Sequence, residues 1–323
     1  MQPVVTLKDL YYFLSVADEE NFHRASRKLR VSQPALSRRI RELEGALGVS
    51  LFHRQSQRIE LSAAGKVFLS SAHDILQRTD EAVDQARRFA RGEQGTLTVG
   101  ITEVALRHNA VKQAIRSFTS NFPLVNLRFR SVSNVPLIAR VESGEIDAAF
   151  LHSVTSSEFR IPHFEICREP FLAAVSLDHE LAEYDEIKLR DFNGRDIIWM
   201  NSEITPGLTT ALQDCFRQAG VDTRLQPFSA SEAGRLQLVA AGLGVSLMAE
   251  SCHKYLPEGV KLLKISDLGV RLKLSAVWMG GNNPALQNFV SLIRAATEAE
   301  NQGEAEASRT ASAVSLAPEP IQA

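Results

Sequence analysis

Polar side chains recur on one side of a basic segment near the N-terminus, and their types suit contacts with nucleic acid. Within residues 21–54 they are Gln33, Ser37, Arg38 and Arg41. Glutamine can pair with adenine in the major groove of DNA, arginine suits guanine edges or phosphates, and serine is adaptable. As far as Arg41 the segment holds seven cations and no carboxylate. Charge alone would also fit a solvated basic helix hairpin. The secondary structure that carries these side chains must therefore distinguish a DNA-binding segment from such a hairpin.

Two short helices joined by a tight turn would hold these side chains. The first has an apolar face at spacings of three and four, formed by Phe22, Ala25 and Leu29. Ser32 is a good N-cap for the second helix, and Pro34 lies in its first turn, where a missing N–H costs nothing. A second apolar stripe ends at Gly48 and consists of Leu36, Ile40, Leu43 and Leu47. This arrangement predicts a helix-turn-helix whose second helix contacts DNA bases.

A bracing helix and a small wing flank this motif. Apolar residues at helical spacing near the start of the chain predict the bracing helix. Residues 55–61 place Ile59 and Leu61 on one side and Arg58 and Glu60 on the other, as in a small wing. Phosphate contacts from this wing would add affinity without sequence information. The predicted DNA-contacting residues are Ser32, Gln33, Pro34, Ser37, Arg38, Arg41, Arg54 and Arg58.

The residues from Phe22 to Arg54 form one long ordered motif. It contains Phe-x-Arg-Ala-Ser-x-x-Leu-x-Val-Ser-Gln-Pro-Ala-Leu-Ser-Arg, then Leu-Glu, Leu-Gly-Val and Leu-Phe-x-Arg. This motif resembles the DNA-binding signature of LysR-type transcriptional regulators, and the resemblance extends to about residue 297. It implies a winged helix-turn-helix, a linker helix, a two-lobed effector domain and a homotetramer. It also implies an interrupted inverted repeat of double-stranded DNA as the target, near a promoter where RNA polymerase is a candidate partner, and a change in DNA bending when the effector binds.

Length and charge divide the chain. Its 323 residues suggest about two domains. The net charge is −2, yet residues 1–59 carry a net +4, from ten cations and six carboxylates, so the remainder carries −6. That asymmetry is expected if one end meets phosphates. Without an apolar run of membrane-spanning length or a signal-peptide pattern, and with three widely spaced cysteines, we expect a cytoplasmic protein with no membrane partner.

A long helix capped by Ser62 follows the wing. Apolar and small residues repeat along it at spacings of three and four, the heptad pattern of paired helices. A helix of about 28 residues would be roughly 42 Å long, more than a small domain can cover, so we expect a partner chain to cover this stripe. Packing on its own domain is the alternative. The predicted dimerisation residues are Phe68, Ala72, Ile75, Ala82, Ala86 and Phe89.

From residue 96 the pattern changes to strands alternating with helices, and it runs twice. The first run has strands at 96–101 and 126–132 and helices at 111–121 and 135–143; the second has strands at 196–200 and 223–227 and helices at 207–219 and 232–241. Such alternation predicts a largely parallel sheet in each half, and strands at 163–175 and 262–278 would cross between the halves. The expected fold class is α+β multidomain, with an N-terminal winged helix-turn-helix, a long linker helix and a C-terminal two-lobed α/β domain resembling periplasmic binding proteins.

These patterns divide the chain into four predicted segments. Residues 1–61 would form the DNA-binding domain, and 62–92 the linker helix and its hinge at residues 91–95. Residues 93–299 would form the effector-binding domain. Residues 300–323 are rich in Gly, Ala, Ser, Pro and Glu with little to bury, so they are predicted to be a disordered tail.

Ligands of open α/β sheets bind outside the carboxyl ends of the strands. The residues predicted to line this cleft are Thr102, Asn134, His152, Ser202, Thr205 and Ser229. The family's effector contacts carry over onto Thr102, Asn134, Ser202 and Thr205. Each of these also fits an ordinary helix cap. Because helix N-termini favour anions, the candidate effector is a small molecule such as an organic acid or aromatic carboxylate, although Glu103 would repel it unless paired with Arg107 or His108.

Three other functions compete with this interpretation. An enzyme is disfavoured because the sequence lacks the nucleophile-elbow, zinc-protease, P-loop and dinucleotide-binding motifs. A thiol sensor would use Cys215, but residues 196–214 contain no partner cysteine. A solute-binding protein or scaffold would leave the first 92 residues without a purpose. No cofactor is expected, and no metal, since the histidines show no paired ligand spacing.

Overall fold

The chain divides into two compact units, Met1–Arg88 and Phe89–Ala323. The computed structural model describes residues 5–54, 59–131, 134–153, 161–200, 206–228, 231–280 and 283–315. Among the helices in these ranges, none is both long enough and apolar enough to cross a lipid bilayer.

The N-terminal unit contains the predicted bracing helix, helix-turn-helix, wing and long helix. Its elements are α1 (Leu7–Glu19), α2 (Phe22–Lys28), α3 (Gln33–Leu47), β1 (Phe52–Arg54), β2 (Ile59–Leu61) and α4 (Ala63–Ala90). The two strands pair antiparallel, with Phe52 opposite Leu61 and Arg54 opposite Ile59. These observations confirm a winged helix-turn-helix followed by a linker helix.

One apolar core sets the orientation of α3. Leu36, Ile40 and Leu43 are buried on a single face of α3, and each such burial contributes about 1.5–3 kcal/mol. They share the core with Phe13 of α1, whose ring centroid lies 5.0 Å from that of Phe68 on α4. Because this apolar face must point inward, the opposite face of α3 is directed to solvent.

Only the N-terminal part of α4 packs on this core. Ala72 is fully buried there, and Phe68 packs against the same side chains. Other residues of α4 are open to solvent, including Ile75, Val83 and Phe89, which are 43%, 42% and 53% exposed. The heptad pattern predicted that Phe68 and Ala72 face a partner chain, and their burial within this unit differs from that prediction. A stripe at spacings of three and four gives the same pattern whichever surface covers it.

The C-terminal unit is an α/β domain with two lobes. Its first part comprises β3 (Gln94–Ile101), α5 (Asn109–Asn121), β4 (Leu124–Ser131), α6 (Asn134–Glu142) and β5 (Ala148–Ser153). It continues with β6 (His163–Ser176), β7 (Glu186–Ile187), β8 (Asp196–Met200), α7 (Pro206–Gln218), β9 (Arg224–Phe228), α8 (Glu232–Ala240), β10 (Ser246–Ala249), β11 (Val260–Ile265), β12 (Arg271–Trp278) and α9 (Pro284–Ser315).

Strand pairing follows the predicted two-lobed plan. β3 pairs in parallel with β4 and β5 in the first lobe, and β8 pairs in parallel with β9 in the second. β6 runs through both lobes, antiparallel to β12 in the first and to β10 and β11 in the second. Each lobe has a core of its own, one around Phe118 and Phe289, the other around Trp199 and Phe216. The strand ends at residues 102 and 153 therefore lie at one edge of the first lobe.

The second predicted crossing strand differs from the structure. The segment 262–278 was expected to be one strand, but it forms β11 and β12, which pair with successive parts of β6. Residues 266–270 leave the sheet between them, and Asp267 Oδ1 accepts a hydrogen bond from the Leu189 backbone N–H at 2.8 Å. This hydrogen bond joins two segments of the second lobe that are 78 positions apart in sequence. Residues so distant in sequence could not be predicted to meet.

The segment after α4 is held more firmly than a free hinge. Gln94 and Gly95 already belong to β3. The Asn288 side-chain amide on α9 donates to the Arg91 carbonyl at 2.9 Å. Gly92 has φ +69°, and a Cβ there would lie 2.5 Å from the Pro284 carbonyl carbon, so only glycine fits.

Part of the predicted disordered tail differs from the prediction, because α9 continues as far as Ser315; residues 316–323 lie outside the described ranges. Residues 300–315 are rich in Ala and Glu, which have high helix propensity. Helix propensity therefore accounts for a helical backbone in a segment with few large apolar residues. At the start of this extension, the Glu300 carboxylate accepts a hydrogen bond from the Ala110 backbone N–H at the beginning of α5, at 2.8 Å.

Candidate nucleic-acid interface and interlobe polar cluster

The exposed face of α3 carries the predicted DNA-contacting side chains. Ser32 caps the helix by accepting a hydrogen bond from the Ala35 backbone N–H at 3.4 Å. Gln33, Arg38 and Arg41 are exposed on the helix. Pro34 is also exposed and Ser37 is half-buried. These predicted residues of α3 thus lie together on a surface that a DNA groove could reach.

Glu42 modifies this basic face, a role that the sequence analysis missed. The Arg38 Nε lies 2.9 Å from Glu42 Oε1, although the Arg38 side chain is 78% exposed. The hydrogen bond from Arg38 lowers the pKa of Glu42 below its usual value, so this carboxylate is ionised at neutral pH. Any ligand that pairs with Arg38 would therefore have to replace this intrahelical partner. The signal in the sequence is the i,i+4 spacing of the two residues.

Arg39 pairs with a buried carboxylate of the first helix. Its Nε lies 2.6 Å from Asp9 Oδ1 on α1, and the Asp9 side chain is 6% exposed. Asp9 also accepts hydrogen bonds from the Thr6 backbone N–H at 2.9 Å and from the Thr6 hydroxyl at 2.6 Å. Burial alone would raise the pKa of Asp9, but these hydrogen bonds and the Arg39 charge lower it overall. This pair anchors α3 to α1, 30 positions apart in sequence.

The wing is tied to α3 by Glu44. Its Oε1 accepts hydrogen bonds from the backbone N–H groups of Leu51 at 2.8 Å and Phe52 at 3.2 Å. Arg54 is the last residue of β1, but its side chain lies outside the described part of the chain, as does all of Arg58. Their predicted phosphate contacts therefore stay predictions.

Two of the predicted cleft residues lie together at the edge of the first lobe. Thr102 directly follows β3, and its Oγ1 lies 3.4 Å from Nδ1 of His152 on β5. The same hydroxyl accepts a hydrogen bond from the Ala105 backbone N–H at 3.3 Å. The Asn134 side chain and the residues Ser202, Thr205 and Ser229 lie outside the described ranges.

A buried ion pair crosses between the lobes beside these residues. Arg107 Nη1 lies 2.6 Å from Oε2 of Glu232, the first residue of α8, and the two side chains are 5% and 9% exposed. Glu103 is only a distant partner of Arg107, at 3.9 Å. The other oxygen of Glu232 lies 3.9 Å from Arg235, and the Arg107 guanidinium lies 5.4 Å from the Tyr255 ring centroid. Two cations thus share one carboxylate.

A second polar group joins the segment before α5 to β6 and to the segment after β10. His108 Nε2 lies 3.3 Å from Glu169 Oε1, and His108 Nδ1 lies 3.2 Å from the Cys167 sulfur. Glu169 accepts further hydrogen bonds from the Ser251 backbone N–H at 2.5 Å and from the Ser251 hydroxyl at 3.1 Å. We define Thr102, Arg107, His108, His152, Glu169, Glu232 and Ser251 as the interlobe polar cluster.

Burial and hydrogen bonds change the pKa values of two side chains in this cluster. Burial would raise the pKa of Glu169, but the hydrogen bonds from His108 and Ser251 lower it overall. Burial lowers the pKa of His152 to about 3, and the nearby His108 adds to this effect. Near neutral pH, Glu169 is therefore a carboxylate and His152 a neutral imidazole.

Cys215 and Cys252 do not favour a thiol sensor. Both are free cysteines. Burial, with the Asp214 charge, raises the pKa of Cys215. Burial raises the pKa of Cys252 to about 12. Because the thiolate is the reactive form, both thiols are poor nucleophiles at neutral pH.

Two family models match the chain. The one described as a bacterial regulatory helix-turn-helix protein of the lysR family matches residues 7–66, and the LysR substrate binding domain matches residues 90–298. The uncharacterized HTH-type transcriptional regulator YnfL of Escherichia coli (strain K12) is 30% identical over 291 residues, which cover 88% of this chain and 96% of YnfL. The regulator AlsR of Bacillus subtilis (strain 168) is 29% identical over 296 residues, which cover 88% of this chain and 94% of AlsR. The crystal structure of CbnR, a LysR family transcriptional regulator, is similar with a TM-score of 0.74 at 24% identity, covering 90% of this chain and 100% of CbnR.

Proposed function

The chain belongs to the LysR family of bacterial transcriptional regulators, and on this basis we propose that it binds a dyad-symmetric promoter site and responds to a small molecule held between its two lobes. The observation that carries the proposal is the division of α3 into two faces. Leu36 and Ile40 are buried, whereas Gln33, Arg38 and Arg41 are exposed on the other side. A helix fixed by its apolar face can present these polar side chains to base edges.

DNA contacts would come from α3 and the wing. Gln33 would contact adenine, Arg38 and Arg41 would contact guanine edges or phosphates, and Arg54 and Arg58 would contact the backbone. CbnR, similar in fold, has been solved in complex with its target DNA. Full-length protein should therefore retain a labelled fragment from upstream of its own gene, and raising salt from about 50 to 200 mM should weaken binding at least about a hundredfold. Absent or salt-independent retention would contradict the proposal.

We propose that the exposed part of α4 pairs with the same part of a second chain. Ile75 and Phe89 are large, apolar and exposed, and Ala82 and Ala86 are exposed between them. Such a stripe on a helix longer than its domain suits helix pairing. A dimer would present two α3 helices to a dyad-symmetric site, and further contacts between C-terminal units would make a homotetramer.

Replacing Ala82 by glutamate should disrupt this pairing. The substitution places a carboxylate from each chain on the exposed stripe, where small side chains would meet. Sedimentation velocity of the full-length protein should show the assembly halved, and affinity for the dyad-symmetric fragment should fall at least about tenfold because only one half-site is held firmly. Gln85→Glu adds the same charge outside the predicted dimerisation set and should leave both measurements unchanged. Equal assembly in the two variants would contradict pairing through this stripe.

The small-molecule site would lie at the strand ends of the C-terminal unit. Thr102 and His152 support this location because their side chains meet at the edge of the first lobe, where α/β sheets bind ligands. Asn134, Ser202, Thr205 and Ser229 would complete the lining. We infer an organic acid or aromatic carboxylate as the effector class, since hydroxyl and amide groups near helix N-termini favour anions.

Thr102→Ala should abolish the transcriptional response to the effector while DNA binding persists. The substitution removes the hydroxyl that contacts His152 and caps the turn at Ala105. An effector found by thermal-shift screening of the full-length protein against metabolites would be titrated in a reporter assay. Thr119→Ala removes an exposed hydroxyl from α5 and should respond as the unaltered protein does. An unchanged dose response in Thr102→Ala would show that the site lies elsewhere.

We assign residues 1–61 to DNA binding, 62–92 to dimerisation and 93–299 to effector binding, and no role to residues 300–323. The characterised relatives are named as transcriptional regulators, so we infer that the chain acts by binding and not by catalysis. It would work in the cytoplasm, where promoter DNA and RNA polymerase are available.

A further inference from the structure

Three side chains of types that ligate metals converge in the interlobe polar cluster. They come from three different places in the chain: His108 precedes α5, His152 is on β5 and Glu169 is on β6. One donor atom from each lies within 4.8 Å of the others. We propose that His108, His152 and Glu169 bind a divalent transition-metal cation of the zinc class. This inference goes beyond the proposed function, which requires no metal.

The spacing of the donor atoms suits a small cation. In a tetrahedral zinc site with bonds of about 2.0–2.1 Å, neighbouring donor atoms are about 3.4 Å apart. His108 Nε2 and Glu169 Oε1 are already separated by 3.3 Å. The His152 donor atom lies within 4.8 Å of the other two, so its imidazole would have to move toward them when a cation binds. Two imidazoles and one carboxylate are a common zinc-binding set, which leaves one position for water.

The charges of the cluster bear on whether a cation fits. Metal ligands must be neutral imidazoles or ionised carboxylates, and Glu169 would supply the one negative charge among the three ligands. Arg107 and Arg235 share the single carboxylate of Glu232, at 2.6 and 3.9 Å, so the charge of Glu169 is the one available to balance a bound cation.

Neighbouring groups would orient each ligand. Ser251 donates two hydrogen bonds to Glu169, Thr102 contacts His152 Nδ1, and the Cys167 sulfur contacts His108 Nδ1. Such contacts fix the ring and carboxylate orientations in known metal sites. The competing explanation is a hydrogen-bonded network that only joins the two lobes. That network would have no affinity for metal.

The test is a titration of untagged, full-length, metal-free protein with Co²⁺, in the absence of DNA and effector. Tetrahedral or five-coordinate Co²⁺ absorbs visible light far more strongly than the aqueous ion, and Zn²⁺ should displace it. We expect one bound Co²⁺ per chain. His152→Gln and Glu169→Gln should each weaken its binding at least about tenfold. His253→Gln removes an exposed histidine of the same unit and should leave the titration unchanged.

A measurement on the unaltered protein guards against variants that misfold. Zn²⁺ should protect His108 and His152 from chemical modification, read by mass spectrometry of their peptides, and leave His253 as reactive as before. Absence of the Co²⁺ bands, equal binding in His152→Gln and Glu169→Gln, or equal modification with and without Zn²⁺ would each overturn the proposal. Because neither experiment contains DNA, a failure of promoter binding would not affect them.

Discussion

Arg38→Ala should weaken binding of the full-length protein to its promoter fragment by about ten- to a hundredfold. A bidentate contact from arginine to guanine contributes about 1–3 kcal/mol of discrimination against the wrong base, and a contact to phosphate contributes through counterion release. Fluorescence anisotropy at several salt concentrations separates the two. Loss of a phosphate contact reduces the slope of log affinity against log salt by about 1 for each Arg38, whereas loss of a base contact lowers sequence preference.

Two companion variants make this prediction specific. Arg217 is also exposed on a helix and paired with a carboxylate, Asp214 at 2.6 Å, but it lies on α7 in the C-terminal unit. Arg217→Ala should leave DNA affinity unchanged. Glu42→Gln should tighten binding a few-fold, because it frees Arg38 and removes a negative charge from a surface that meets phosphates. If Arg38→Ala and Arg217→Ala bind equally well, α3 does not contact the DNA as proposed.

Local signals explain why the helix-turn-helix could be predicted from sequence. Ser32 and Gly48 mark the ends of α3, and the apolar stripe between them defines its buried face. Caps, turns and periodicity depend on residues within a few positions of each other, so the sequence displays them directly. The same applies to the strands and helices of the C-terminal unit. For most of these elements, the predicted and observed ends differ by only a few residues.

Contacts between distant residues could not be predicted in this way. Arg39 looked like one more cation of a basic helix, yet it pairs with Asp9 on α1. Arg107 and Glu232 are 125 positions apart and meet in the interior. In sequence, a charge that will be buried with a partner has the same appearance as one that will be solvated. Only the topology, which brings α8 of the second lobe against the segment before α5 of the first, distinguishes them.

Glu232→Gln should be among the most destabilising single substitutions in the C-terminal unit. It leaves the Arg107 and Arg235 guanidinium groups buried without their shared carboxylate. Removing one partner of a buried ion pair costs about 3–5 kcal/mol. Urea unfolding can be followed by tryptophan fluorescence, because Trp199 belongs to the core of one lobe and Trp278 to that of the other. The midpoint should fall by about 1–2 M. Glu186→Gln, an exposed carboxylate of the second lobe, should leave it unchanged.

A double variant tests whether the ion pair itself causes this loss. Buried ion pairs add little net stability, because desolvation of the charges offsets their attraction, and apolar replacements of similar size are often tolerated. Arg107→Met combined with Glu232→Met should therefore be more stable than Glu232→Gln alone, because it also removes the buried charge of Arg107. In both variants Arg235 keeps Ser246 and the Leu247 carbonyl as acceptors at 3.4 Å. A double variant as unstable as the single one would mean that Glu232 acts through packing of α8. Recovery of stability in the double variant would instead identify the uncompensated charge as the cause. The ion pair would then determine the arrangement of the two lobes more than their stability.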